Sequence, residues 1–218
     1  MGLIAAALAL ALQTSPAAPP YRASGSEPFW SLEISGRRMV FSPNDGEREL
    51  RAPRPRMQPT RAGYRLVTPR FTVDVRHVPC EDDAERRYRD TVRVTAYGRH
   101  FDGCGGTLLP PLTVANTDWR IEAIGAARVD GDAYRLSFHE GRISGQAGCN
   151  RLTGAYVQNG DRLTAGPIAA TRMMCPPPRM AHERALLDIL RGPVRVSYPS
   201  GDVMVLTGSG GTVRLRRV

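Results

Sequence analysis

Alternation with a period of two recurs along almost the whole chain. Trp30-Ser31-Leu32-Glu33-Ile34, Phe71-Thr72-Val73-Asp74-Val75, Thr91 to Tyr97 and Tyr134-Arg135-Leu136-Ser137-Phe138 each place apolar side chains on one face and polar ones on the other. Half-buried strands read this way. Met39-Val40-Phe41, Tyr64 to Val67 and Val203 to Leu206 belong to the same series. Turn residues separate them at Val129-Asp130-Gly131-Asp132, Asn159-Gly160-Asp161 and Ser200-Gly201-Asp202. Asn159-Gly160, set between Tyr156-Val157 and Leu163, is a hairpin signal. One stretch breaks the series. After Pro176-Pro177-Pro178, the residues Met180, Glu183, Leu186, Leu187 and Leu190 fall at helical spacing, and Gly192-Pro193 stops them. A single helix of about 12 residues within a strand series predicts an α+β fold.

Gly105-Gly106-Thr107-Leu108-Leu109-Pro110-Pro111 divides the series. Two glycines and two prolines so close together end one unit and stiffen the join to the next. Two small β-rich domains are predicted, residues 24–106 and 113–218. Within the first, Arg51-Ala52-Pro53-Arg54-Pro55-Arg56 reads as a loop, since its prolines bar a central strand.

Each unit holds two of the four cysteines: Cys80 and Cys104, then Cys149 and Cys175. None forms Cys-x-x-Cys and no histidine stands at ligand spacing, so no zinc site or other metal site is predicted. Four cysteines allow three connectivities. One bridge per unit, Cys80–Cys104 and Cys149–Cys175, is the economical choice. Disulfides belong to oxidising compartments, and the N-terminus agrees. Leu3-Ile-Ala-Ala-Ala-Leu-Ala-Leu-Ala-Leu12 is an apolar core of signal-peptide length, with small residues for cleavage near Ala17 or Ala18. Met1-Gly2 departs from the pattern in lacking a positive charge. Residues 1–20 are expected to be a signal peptide, and the mature chain to be exported to the periplasm or cell envelope. No apolar run beyond the leader is long enough for a membrane span.

The formal net charge is +9, and every one of the 30 basic residues is arginine. Nucleic-acid grooves interleave basic residues with stacking aromatics. Aromatic residues are only 6% of the chain, too few for a series of stacking platforms among 30 arginines, so nucleic-acid binding is not expected. A basic surface that meets lipid headgroups or acidic polymers electrostatically stays open.

Gly141-Arg-Ile-Ser-Gly-Gln-Ala-Gly-Cys149-Asn150-Arg151-Leu-Thr-Gly154-Ala-Tyr156 resembles the central signature of the META domain. Gly160-Asp-Arg-Leu163 is similar to the following hairpin, and Gly166-Pro-Ile-Ala-Ala-Thr-Arg-Met-Met-Cys175 to the second signature. The Met180 to Leu190 segment resembles the family helix, Gly201 to Leu206 and Gly211 to Leu215 its closing strands, and Trp119 its opening tryptophan. The resemblance implies a curved antiparallel sheet with one helix. It also implies an exported or envelope-associated protein of a family linked to stress response, drug tolerance and motility, with no established catalytic residues. In the first unit, Gly25-Ser-Glu-Pro-Phe-Trp30, Cys80-Glu81-Asp82 before Tyr88, and Gly103-Cys104 resemble an uncharacterised family of exported bacterial proteins. Ala84 and Glu85 depart from that pattern.

No catalytic constellation emerges, and neither an enzymatic activity nor a cofactor is predicted. His182-Glu183 lacks the second histidine of a metalloprotease motif, and Gly-x-Ser-x-Gly is missing. Cys149 with His139 would make a thiol–base pair, but a disulfide takes precedence for Cys149. Glu81, Asp82, Asp83 and Glu85 are the residue types that hold calcium, yet Arg86, Arg87 and Arg89 beside them suit a salt-bridged loop better. The expected function is therefore a non-enzymatic envelope protein that binds an unknown protein or envelope ligand. The alternative is an inhibitor of a periplasmic hydrolase, with Arg51–Arg56 or Glu81–Glu85 as the inserting loop.

Overall fold

The computed structural model describes residues 18–218. The apolar core of the predicted leader lies outside the described residues.

The first unit is built from β1 (Tyr21–Ser26), β2 (Phe29–Ile34), β3 (Arg38–Pro43), β4 (Leu50–Pro53), β5 (Gln58–Thr60), β6 (Gly63–Val67), β7 (Phe71–Arg76), β8 (Cys80–Glu81), β9 (Arg87–Ala96) and β10 (Arg99–Leu108). They form one antiparallel sheet in the order β4-β3-β2-β1-β10-β9-β7-β6-β5, with β8 added on β9. The sheet curls so that its apolar face closes on itself. Phe41 of β3 meets Phe71 of β7 at 6.0 Å and Phe101 of β10 at 5.0 Å between ring centres. Trp30, Leu32, Met39, Leu66, Val73, Val92 and Val94 fill the same core. Each large side chain so buried contributes roughly 1.5–3 kcal/mol. The Trp30 indole N–H donates to the Asp102 carbonyl at 3.1 Å, and its ring lies so close to Gly103 that a Cβ there would stand 2.8 Å from it. The edges carry proline, Pro53 in β4 and Pro59 in β5, where a missing N–H breaks no ladder. The Arg51–Arg56 segment is thus only partly a loop: its first three residues form edge strand β4, paired with β3 from Arg38↔Pro53 to Phe41↔Leu50.

The second unit comprises β11 (Thr117–Ile124), β12 (Ala127–Arg128), β13 (Tyr134–His139), β14 (Arg142–Ala147), β15 (Arg151–Asn159), β16 (Arg162–Ala165), β17 (Ala169–Ala170), α1 (Pro177–Leu190), β18 (Val194–Ser200), β19 (Val203–Gly208) and β20 (Gly211–Arg217). Here the sheet closes. The order β11-β13-β14-β15-β16-β18-β19-β20 returns to β11 through a β11–β20 pairing that runs from Trp119↔Arg217 to Ile124↔Val213. Eight strands enclose a space that side chains alone fill. Trp119, Ile121, Leu136, Phe138, Ile143, Leu163, Met204, Leu206 and Leu215 occupy it, and Leu186, Ile189 and Leu190 of α1 join them. The helix begins at the proline run, as its sequence demands, and stops before Gly192. Among the described residues, the α+β expectation of two β-rich units with a single helix holds. The curved sheet of the second unit is drawn round into a ring.

Gly105 and Gly106 lie inside β10, which bulges between Gly105 and Leu108. The first sheet therefore runs from Tyr21 to Leu108. Beyond it, the Leu109 N–H donates to the Arg87 carbonyl at 2.6 Å, and Arg87 in turn donates to the Pro110 carbonyl at 3.2 Å. Arg217 of β20 reaches back to the Glu85 carbonyl at 3.2 Å.

Candidate functional site

Pleating sends every second residue of β13, β14 and β15 to the outside of the ring. The register aligns these residues into rows. Arg120 of β11 pairs with Arg135, Arg135 with Gln146, and Gln146 with Arg151. The next row is Ser137, Ser144 and Thr153. Arg135, Ser137, Ser144, Arg151, Thr153 and Thr171 line an open groove of about 670 Å³. Among the described residues, Arg120, Arg135 and Arg151 make no ion pair. Several nearby carboxylates are engaged elsewhere: Glu122 with Arg214 and Arg216, Asp202 with Arg216, and Asp118 with His139 at 3.1 Å, while Asp130, beside Arg120, accepts from the Gly131 N–H at 2.7 Å. Burial opposes ionisation of Asp118, but hydrogen bonds from Ser137 and His139 hold its carboxyl below the usual range. Like charges directly opposite one another on neighbouring strands are destabilising. The Arg120–Arg135 pair is such a contact, and neither guanidinium is in an ion pair among the described residues; Arg135 donates to the Asp132 carbonyl at 3.0 Å.

Beneath one end of this groove lies the Gly148-Cys149-Asn150 turn. Asn150 is 2% exposed and spends all its side-chain bonding capacity. Its Nδ2 donates to Glu183 Oε1 at 3.2 Å and to the Met173 carbonyl at 3.3 Å. Its Oδ1 accepts from the Thr171 hydroxyl at 2.8 Å and the Met173 N–H at 2.7 Å. Its own N–H donates to Glu183 Oε2 at 2.9 Å. Glu183, on the inward face of α1, is 7% exposed. Cys149 is joined to Cys175, two residues before the helix, with Cα atoms 6.0 Å apart. The turn, the segment before the helix and the helix itself are thus locked at one point. Residues 111–218 match the META domain family model. The signature residues of this META unit serve the fold.

Among solved structures, the chain is similar to an NMR structure of a protein with 26% identity and a TM-score of 0.41, spanning 46% of this chain and 87% of that one. It is also similar to an NMR structure of a protein from Burkholderia xenovorans with 27% identity and a TM-score of 0.40, spanning 48% and 83%. No curated protein matches the chain.

The remaining residues singled out by sequence are dispersed. His139 turns to Asp118, away from any thiol, and Cys149 is consumed in its bridge. His182 meets the Tyr134 hydroxyl at 2.9 Å through Nδ1. Cys80 is joined to Cys104, which ties β8 to β10 with Cα atoms 5.4 Å apart. The acidic cluster does not converge. Asp82 organises its own turn, accepting from the N–H groups of Ala84 at 3.1 Å and Arg86 at 2.9 Å, while Asp83 accepts from Ser26. Among the described residues, no three His, Cys, Asp or Glu side chains gather as a metal site. In the first unit, sequence reading passed over Asp90, 3% exposed at the end of the curled sheet. His77 Nδ1 lies 2.7 Å from its Oδ1, and the Tyr64 ring stands 5.9 Å from His77. The buried Tyr21 hydroxyl has no hydrogen-bond partner. Burial, and then the Asp90 charge, push the Tyr21 and Tyr64 hydroxyls above their ordinary range. The His77–Asp90 pair can orient an imidazole, but the neighbouring Thr91 hydroxyl is turned to the Val78 carbonyl at 3.1 Å and offers it no nucleophile. The signal for Asp90 was parity: it shares its side of β9 with Val92 and Val94.

Proposed function

We propose that this chain is an exported, non-enzymatic protein of the cell envelope that acts by binding, and that its binding face is the outside of the META unit. The observation that carries this reading is the row Arg120–Arg135–Gln146–Arg151, where opposed like charges stand outside any ion pair among the described residues. An anionic ligand converts that repulsion into attraction, which gives the row a use that stability does not. The packed interior of the ring and the closed hydrogen bonding of Asn150 support the reading, because they leave the exterior as the place for recognition. Two disulfides suit an oxidising compartment. No helix among the described residues is long and apolar enough to cross a membrane. The link to stress response that the family resemblance implies belongs to the same proposal.

The test is cell fractionation of the full chain and of the Arg120→Ala/Arg135→Ala/Arg151→Ala variant. The parent chain should be recovered with the envelope and processed near Ala18, and the folded variant should appear in the soluble exported fraction. Identical distributions would remove the arginine row from the function.

A further inference from the structure

The arginine row has an apolar neighbour. Thr171 lines the groove and is bonded to Arg151 twice: its N–H donates to the Arg151 carbonyl at 3.0 Å, and its hydroxyl accepts from the Arg151 N–H at 3.2 Å. Arg172, Met173 and Met174 follow directly. Both backbone polar groups of Met173 are held by the Asn150 side chain, and Cys175 is fixed by its disulfide. The segment is therefore pinned on both sides of its methionines. Met173 is nonetheless 52% exposed and Met174 99% exposed. Anchored backbone with outward methionines keeps apolar surface in water at the Arg151 end of the row.

The spacing of the cations says what kind of anion they meet. Strands stand about 4.8 Å apart. Arg135 is one strand from Arg120, and Arg151 is two strands further on. Three guanidinium groups are thus rooted along a curved line of about 14 Å on the outside of the ring. A site for one small anion would bring them together, whereas a line suits anions repeated across a surface. The hydroxyls of Ser137, Ser144 and Thr153 run parallel to that line and supply further donors. An apolar stub beside the cations complements anions that float above hydrocarbon, as at a bilayer surface.

We propose that the META unit docks on an anionic phospholipid surface, with Arg120, Arg135 and Arg151 on headgroup phosphates and Met173 and Met174 in the interfacial layer. This rests on the reading of the outer groove as the binding face, and it names the ligand of that face. Headgroup attraction and insertion of apolar side chains are separate contributions to interfacial binding, so the two parts of the surface can be tested apart.

The experiment is co-sedimentation of the full chain with phosphatidylcholine vesicles, and with vesicles in which about one third of the lipid is phosphatidylglycerol. The chain should sediment with the second kind alone, and binding should weaken steeply as salt screens the headgroups. The Arg120→Ala/Arg135→Ala/Arg151→Ala variant should bind about a hundredfold more weakly, about fivefold (~1 kcal/mol) for each arginine. Met173→Ser/Met174→Ser should weaken binding about tenfold through loss of apolar burial, with an unchanged salt slope. Thermal melts confirm that both variants are folded. Glycerol phosphate, titrated into the chain without vesicles, separates the two sources of phosphate. If it binds through the arginines while vesicles do not, the surface proposal fails and the groove stands as a binding face. Equal binding to both vesicle types, or binding indifferent to the triple substitution, overturns the proposal. If neither probe binds and envelope retention also ignores the arginines, the reading of the face falls with it.

Discussion

Replacing Asn150 by alanine tests whether the META signature is structural. The substitution removes four side-chain hydrogen bonds: to Glu183 Oε1, to the Met173 carbonyl, from the Thr171 hydroxyl and from the Met173 N–H. A neutral bond contributes about 1 kcal/mol net, and one to a carboxylate about 2 kcal/mol. Glu183 keeps the Asn150 N–H but loses its second donor while buried, and that raises the cost. Water can reach Thr171 and Met173, and that lowers it. The expected loss is about 3–5 kcal/mol, and for a unit of this size the melting temperature should fall by roughly 15 °C or more. Urea unfolding reports it through Trp119, buried in the same core, in a Trp30→Phe background that silences the first unit. Asn150→Asp sharpens the test. It keeps the acceptor for Thr171 and Met173 and sets a second carboxylate against Glu183. Two carboxylates at that distance share a proton, so one folded-state pKa is raised above its unfolded value. The folded variant then binds more protons than the unfolded chain, and its deficit against the parent should shrink as the pH falls from 7 toward about 4. A loss below about 1 kcal/mol for alanine, or a deficit for aspartate that does not depend on pH, would refute the hub.

Two further outcomes follow from the same geometry. The Cys149→Ala/Cys175→Ala variant should lose roughly 2–5 kcal/mol of stability yet keep its ligand binding wherever it stays folded; lost binding in folded protein, read on one sample below its melting temperature, would make the cysteines functional. The Tyr198 hydroxyl is buried without a partner, and burial raises its pKa to about 12, partly offset by Arg217. Tyr198→Phe should match or exceed the parent's stability by up to about 1 kcal/mol at neutral pH. A raised tyrosine pKa stabilises below the unfolded value near 10 and loses that contribution as pH rises toward the folded one. The phenylalanine variant should therefore resist alkaline unfolding better, as urea melts near pH 7 and pH 11 would show.

Strands whose faces are chemically distinct were legible in the sequence. β2, β3, β7, β9 and β13 alternate cleanly because one side of each meets a core. The helix was legible because prolines begin it and Gly192-Pro193 ends it. Glycine-rich β10 read as a joint, since Gly103, Gly105 and Gly106 supply no side-chain pattern; they are small because Trp30, Tyr21 and Asp90 press against them. The short edge β4 carries proline and looked like a loop for that reason, and three-residue β5, with Pro59, offers no alternation to read. The arginine row was out of reach by a different cause. Arg120, Arg135 and Arg151 lie far apart along the chain, and only strand register sets them side by side. Composition disclosed an excess of positive charge without its address.

The pairing of β20 with β11 has a consequence for the life of the chain before it is native. Trp119 faces Arg217 across that seam, so the ring joins residues almost 100 apart. A chain made from its N-terminus lays down β11 early and must hold it without its neighbour until β20 emerges. During that interval β11 presents a bare edge, and bare edges recruit strands from other molecules. Such long-range pairing is also slow. The Cys149–Cys175 bridge needs nothing beyond residue 175 and can form before the ring closes. Biogenesis of the META unit thus has a vulnerable window whose length is set by how quickly its last strand arrives, and shortening β20 by a few residues would leave that window permanently open.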